Sequence, residues 1–139
     1  MMSSNSAPPT AAARTLVADF EVTGWEPEVY DDPGEGPALA RVTVRKTFRG
    51  VVDGTSIGQV LTAAGSDGRG YVASERFTGS VDGCVGTVVF QHGGRDDGAS
   101  AYTFGHVVPG SGTGQLAGLA GEITLTHDDS GARVTLVLR

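Results

Sequence analysis

An all-β fold, a single antiparallel barrel of about eight strands, is what this sequence predicts, and three features predict it. Apolar and polar residues alternate with period two through nearly all of the chain after position 13, the pattern of half-buried strands. The 22 glycines are scattered between those runs instead of forming one flexible tract, which suits many tight turns. Helical periodicity is nearly absent. A sheet of that size must either cover its edges or close on itself, and closure leaves no row of unpaired backbone groups.

Residues 1–13 are rich in Ser, Pro and Ala and lack the positive start and apolar middle of a secretory signal, so they read as a disordered tail ahead of a barrel domain over 14–139. Strands are expected over 15–25, 39–48, 56–63, 70–78, 84–92, 101–108, 115–126 and 132–138, where β-branched and aromatic residues alternate with polar ones. Segment 27–37, with three prolines and four acidic residues, reads as an exposed loop, and 93–98 as a turn.

The bulk numbers bound the function. A chain of 139 residues with 39% hydrophobic and 19% charged positions supports one core. The net charge is −6, and Lys46 is the only lysine beside the arginines. No basic stripe is available to neutralise a phosphate backbone, so nucleic acid is not an expected partner. Cys84 is the only cysteine, which excludes an intramolecular disulfide and a cysteine zinc site and fits a reducing compartment. No run approaches the roughly 20 apolar residues that cross a bilayer, so no membrane partner and a cytoplasmic location are expected.

A seven-residue pattern occurs twice: Phe48-Arg49-Gly50-Val51-Val52-Asp53-Gly54 returns as Phe77-Thr78-Gly79-Ser80-Val81-Asp82-Gly83. Asp-Gly tolerates the positive φ of a type I′ turn, so each copy reads as a hairpin turning at Asp-Gly. Two further segments stand out, Val88-Val89-Phe90-Gln91-His92 and Val108-Pro109-Gly110-Ser111-Gly112-Thr113-Gly114-Gln115-Leu116-Ala117-Gly118.

Together these segments resemble a bacterial domain family of unknown function whose members adopt a barrel similar to allene oxide cyclase. The resemblance runs from about Thr15 to the C-terminus. It implies an eight-stranded antiparallel barrel with a cavity at one end and no particular activity, since fold does not fix function. Allene oxide cyclase and bacterial polyketide cyclases with similar barrels steer ring closure of an apolar substrate by shape, without a cofactor, and the likeness supplies a reaction class only.

The hairpins decide which side chains face inward. A turn at Asp82-Gly83 pairs Glu75 with Phe90 and Ala73 with His92, putting Tyr71, Ala73, Glu75, Phe77, Val88, Phe90 and His92 on one apolar face. A turn at Asp53-Gly54 pairs Phe48 with Gln59 and Lys46 with Leu61, so Lys46 takes the repeat position of Glu75. Lys46, Glu75 and His92 are therefore candidate catalytic groups, because a buried carboxylate beside an imidazole can move a proton. Tyr71, Phe77, Phe90, Gln59, Gln91 and Ser111 are candidate ligand-binding groups: Tyr71 and Gln59 near a cavity mouth, Ser111 at its border, and Gln91 as the inward polar group if the register slips by one. A buried Lys–Glu pair can equally be self-satisfied structure.

The remaining motifs are weaker. Gly110-Ser111-Gly112-Thr113-Gly114 lacks the Lys-Ser/Thr and following helix of a phosphate cradle. His106 and His127 have no metal-ligand spacing with His92, and no metal or cofactor is expected. Cys84 has no activating base nearby. Three readings stay open: a cofactor-independent cyclase or isomerase acting on a small apolar molecule, a barrel that binds such a ligand without chemistry, and a filled, self-associating structural domain. Outer apolar positions such as Val72 and Val89 are compatible with a homo-oligomer.

Overall fold

The computed structural model describes residues 13–139; all but the last position of the expected tail lie outside the described residues. Eight strands follow one another: β1 (Arg14–Asp31), β2 (Ala38–Arg49), β3 (Val52–Ala64), β4 (Arg69–Val81), β5 (Cys84–Asp96), β6 (Ala101–Val107), β7 (Gly121–Asp128) and β8 (Gly131–Leu138). Each pairs antiparallel with its neighbours in sequence, and β8 pairs with β1, which closes the barrel. Among the described residues, no helix is long and apolar enough to cross a membrane.

The second hairpin has the expected register, Val81 opposite Cys84, Glu75 opposite Phe90 and Ala73 opposite His92. Its turn residues, Asp82 at φ 50° and Gly83 at φ 82°, carry the paired positive φ of a type I′ turn. The first hairpin differs. It turns at Gly50-Val51, so Asp53-Gly54 lies inside β3 and Phe48 pairs with Gly54, Lys46 with Ser56. The offset from the expected pairing is odd, which reverses the faces of β3. Ser56 is buried, whereas Gln59 and Leu61 are exposed.

The two copies of the repeat thus use their glycines in opposite ways. Gly54 and Gly79 face each other across β3 and β4. A Cβ on Gly54 would lie 2.2 Å from the Thr78 carbonyl oxygen, and one on Gly79 would lie 2.2 Å from the Asp53 carbonyl oxygen. Only two glycines let these backbones approach so closely.

Three further expectations about boundaries are corrected. β1 runs on to Asp31 through the first part of the expected 27–37 loop. It pairs with β8 only as far as Phe20, so Pro27 has a free side and its missing N–H breaks no ladder bond there. β5 continues to Asp96, with the turn following it, because Gly93 and Gly94 let the Phe104 and Tyr71 rings close over the backbone. β7 starts at Gly121 and not at Gln115, since 114–116 form a short 3-10 turn that drops Leu116 into the end of the barrel.

The interior has two halves. At the end carrying the β2–β3 and β4–β5 turns, Phe48, Val52, Phe77, Val88, Phe90, Leu116, Ile123, Val134 and Leu136 are at most 1% exposed and form a closed core. Rings from β1, β2, β4 and β5 contact in series: Phe20 to Phe48 at 5.5 Å, Phe48 to Phe77 at 5.5 Å and Phe77 to Phe90 at 6.0 Å, tilted or edge-on as aromatic pairs prefer. Outside, Val72 is exposed, while Val89 is partly covered where segment 108–113 runs beside β5.

Gly79→Ala is expected to cost about 3 kcal/mol through the backbone clash, and Gly83→Ala about 1 kcal/mol through its positive φ alone, since open space surrounds Gly83. Urea unfolding of both variants measures the difference; equal costs would contradict the close approach.

Candidate functional site

Above the closed core, three ionisable side chains from three strands meet inside the barrel. Lys46 on β2, Glu75 on β4 and His92 on β5 are 7%, 3% and 6% exposed. Period-two alternation places them there: each lies two residues along its strand from an inward phenylalanine, Phe48, Phe77 or Phe90. Neighbouring strands make room with glycine. A Cβ on Gly58, opposite Glu75, would approach Glu75 Cβ to 2.7 Å, and one on Gly105, opposite His92, would approach His92 Cβ to 2.9 Å.

Glu75 is the hub. Lys46 Nζ lies 3.0 Å from Oε2 and donates to Oε1 at 3.2 Å. The Ser56 hydroxyl donates to Oε2 at 3.1 Å. His92 Nε2 sits 3.2 Å from Oε1, but the oxygen lies off the N–H direction, so the contact is electrostatic and Nε2 has no aligned partner. On the other side of the imidazole, the Tyr71 hydroxyl lies 3.3 Å from Nδ1. With Nε2 against a carboxylate, the favourable tautomer carries its proton there and accepts from Tyr71 at Nδ1. Lys46 Nζ also lies 5.1 Å from the centre of the Phe20 ring, within cation–π range.

The electrostatics follow from this arrangement. Burial pushes the Glu75 carboxyl up, but the His92 contact and the Lys46 charge outweigh it and hold the group below its ordinary value of 4.5. Glu75 is therefore a carboxylate at neutral pH. Burial, reinforced by the Glu75 charge, pushes the Tyr71 hydroxyl up, so the phenol keeps its proton.

Lys46 and His92, with Glu75 behind them, form the floor of a cavity of about 590 Å³ that opens at the end carrying the β1–β2, β3–β4, β5–β6 and β7–β8 loops. Lys46, His92 and Phe20 border it below; its walls include Val22, Val44, Val60, Tyr71, Leu125 and His127, and Trp25, Arg69 and Arg95 stand at its rim. The barrel is thus hollow at this end. Phe77 and Phe90 lie beneath the floor in the closed core and do not line the cavity.

The other candidate ligand-binding residues lie elsewhere. Gln59 faces outward and donates to the Thr43 hydroxyl at 3.2 Å, as the reversed phase of β3 requires. Gln91 is also outside, donating to the Ser74 hydroxyl at 3.0 Å, because the β4–β5 register keeps Glu75 inside. Ser111 sits toward the closed end, where its hydroxyl accepts from the Val89 N–H at 3.0 Å and donates to the Val108 carbonyl at 2.7 Å. It continues the hydrogen bonding of β5 where β6 has ended.

Trp25 is a rim residue of the cavity that strict alternation misses. A bulge between Val22 and Gly24 shifts the pairing by one and sets Trp25 opposite the inward Val44. The strand glycine Gly24 is the signal that marks such a site. His127 reaches the cavity wall, edge-on to Phe20 at 5.2 Å. Among the described residues, no group of three or more His, Cys, Asp or Glu side chains is placed to hold a metal ion.

Residues 16–138 match the family model described as protein of unknown function (DUF3224). The chain belongs to the DUF3224 family. It is similar to the crystal structure of a protein with unknown function from the DUF3224 family of Shewanella oneidensis MR-1. The two share 29% identity over 91% of this chain and 96% of that one, with a TM-score of 0.84. No curated protein matches this DUF3224 chain.

Glu75→Gln leaves Lys46 buried without its counter-ion, which is expected to cost about 3 kcal/mol at neutral pH. The folded pKa of Glu75 lies below its unfolded value, so its stabilisation is complete above about pH 4.5 and is lost as pH falls through the folded value. The stability gap between wild type and variant should therefore narrow on acidification, read by denaturant unfolding from about pH 7 to 3. Asp97 and Asp128, held low by Ser100 and Ser130 groups in surface turns, titrate in both proteins and cancel. A gap that does not change with pH would contradict the assignment.

Proposed function

We propose that the barrel binds a small, predominantly apolar molecule in its open cavity, with the polar group of that molecule seated on the Lys46 and His92 floor that Glu75 backs. One observation carries this reading: a hollow of about 590 Å³ with mainly apolar walls ends on two buried ionisable groups, Lys46 and His92, that are held from behind by buried Glu75. That volume falls within the range of small-molecule sites, and so does the pairing of apolar walls with a few convergent polar groups.

A second reading adds chemistry to binding. Tyr71, His92 and Glu75 are in sequential contact, with distances of 3.3 and 3.2 Å. A protonated phenol at the wall and a carboxylate at depth, linked by an imidazole, suit proton donation at one atom of a ligand and proton removal at another. Such a shift isomerises or cyclises a carbonyl compound without a cofactor, which is the reaction class of the barrels this sequence resembles. His92 and Glu75 are the proton carriers, Lys46 stabilises negative charge that develops on oxygen, and the apolar walls hold the substrate in a reactive shape.

The neutral apolar fluorophore N-phenyl-1-naphthylamine tests the binding. Its emission should rise on titration with the wild-type protein, and Val60→Phe, which adds a ring to the cavity wall, should weaken binding at least about tenfold while leaving the circular dichroism spectrum unchanged. No emission change with the wild type, or equal binding by both proteins, would overturn the proposal.

A further inference from the structure

Lys46 is the only lysine in the chain; the other nine basic residues of the Lys/Arg class are arginines. Arginine holds every basic surface position and lysine only the buried one, 7% exposed on the cavity floor. The two residues differ in one chemical respect that bears on this place. An ammonium can give up its proton and become a nucleophile, whereas a guanidinium stays charged. A permanent counter-ion for Glu75 would need only the charge.

We propose that Lys46 is an amine nucleophile that forms an imine with an aldehyde or ketone held in the cavity, which makes carbonyl compounds with an apolar body the ligand class of this site. The inference rests on the binding reading above and narrows it.

The neighbours of Lys46 supply what the condensation needs. The ammonium passes one proton to the Glu75 carboxylate, 3.0 Å away, and the freed amine attacks the carbonyl carbon. The N–C bond forms as the C=O π pair moves to oxygen, which takes up a proton carried by Glu75 and His92, giving a carbinolamine. Loss of a second nitrogen proton and departure of the hydroxyl with it as water leave a C=N bond. The balance is one ammonium plus one carbonyl compound giving one protonated imine plus one water, with no oxidant or reductant consumed. Glu75 ends as the carboxylate counter-ion of the iminium, the part it plays for the ammonium at the start. Phe20, 5.1 Å from Nζ by its ring centre, stabilises the cation in both states.

Octanal with sodium cyanoborohydride tests this in the full-length protein. The reagent reduces an imine to a secondary amine, so the protein should gain the mass of octanal less one oxygen, and peptide mapping should put the adduct on Lys46. Labelling there should run at least about tenfold faster than at the chain's own α-amine. Octan-1-ol, followed through the emission of Trp25, the only tryptophan, reports cavity binding separately. Lys46→Arg keeps a cation beside Glu75 and should lose the adduct while leaving the circular dichroism spectrum unchanged. If octan-1-ol binds wild type but Lys46 is labelled no faster than the α-amine, the imine is overturned and the binding reading stands. If neither octan-1-ol nor octanal engages the wild-type cavity, both fail together.

Discussion

A carboxylate in the middle of an apolar barrel is the constraint around which this structure is arranged. Moving one charge out of water into such a place costs several kcal/mol unless other groups replace the lost hydration. Here three residues do so, with Lys46 and Ser56 donating to Glu75 and His92 pressed against it. Each comes from a different strand, so the ion cluster ties β2, β3, β4 and β5 to one mutual register. A slip of one residue in any of them would put its member on the outer face and leave Glu75 short of a partner. Yet replacing a buried ion pair by apolar residues of similar volume is often neutral or stabilising. Stability alone does not explain polar groups at this level, whereas the proposed role of the cluster beneath a ligand site does.

Glycine is the second requirement. Strands carrying side chains at every inward position could not bring an amine and an imidazole each within about 3 Å of one carboxylate in so narrow a barrel. Gly58 and Gly105 clear the space beside Glu75 and His92, and the Gly54–Gly79 pair draws β3 and β4 together just below. The high glycine content that reads from the sequence as a mark of turns therefore serves packing as much as chain reversal.

That double use explains what the sequence disclosed and what it hid. Period-two alternation is local to each strand, so Lys46 shares a face with Phe48, Glu75 with Phe77 and His92 with Phe90 whatever the pairing, and the turn at Asp82-Gly83 rightly sets Glu75 and His92 on one face of their hairpin. Register depends on where a hairpin turns, and there identical letters mislead. Asp82-Gly83 is a turn, while Asp53-Gly54 is strand, because Gly50 takes a φ of 113° and reverses the chain first. The error moved Gln59 to the wrong face and kept Ser56 out of the candidate site. Trp25 was hidden by a bulge, which alternation cannot register. Ser111 failed for another reason: the glycine-rich segment carries no periodicity, and only the shortness of β6 gives it a strand edge to complete.

The two ends of the barrel are packed differently. One end is plugged by Leu116 and filled by packed rings, and proteins close their interiors to such density wherever they can, since every void forfeits dispersion contacts and apolar burial. The other end keeps about 590 Å³ open with Val22, Val44, Val60 and Leu125 around it. Larger side chains at those four positions would recover that burial. An apolar hollow left open to water beside the chain's only lysine gives up stability that the sequence could have kept, and such a sacrifice is characteristic of a space reserved for an occupant. The same comparison accounts for the thin contact between β6 and β7, a single register pair at His106 and Glu122. Together with β1 beyond Phe20, which β8 no longer covers, it leaves two stretches of strand edge unpaired toward the open end of the barrel. Unpaired edges of this kind open at low free-energy cost, which suits the proposed entry of a ligand at that end.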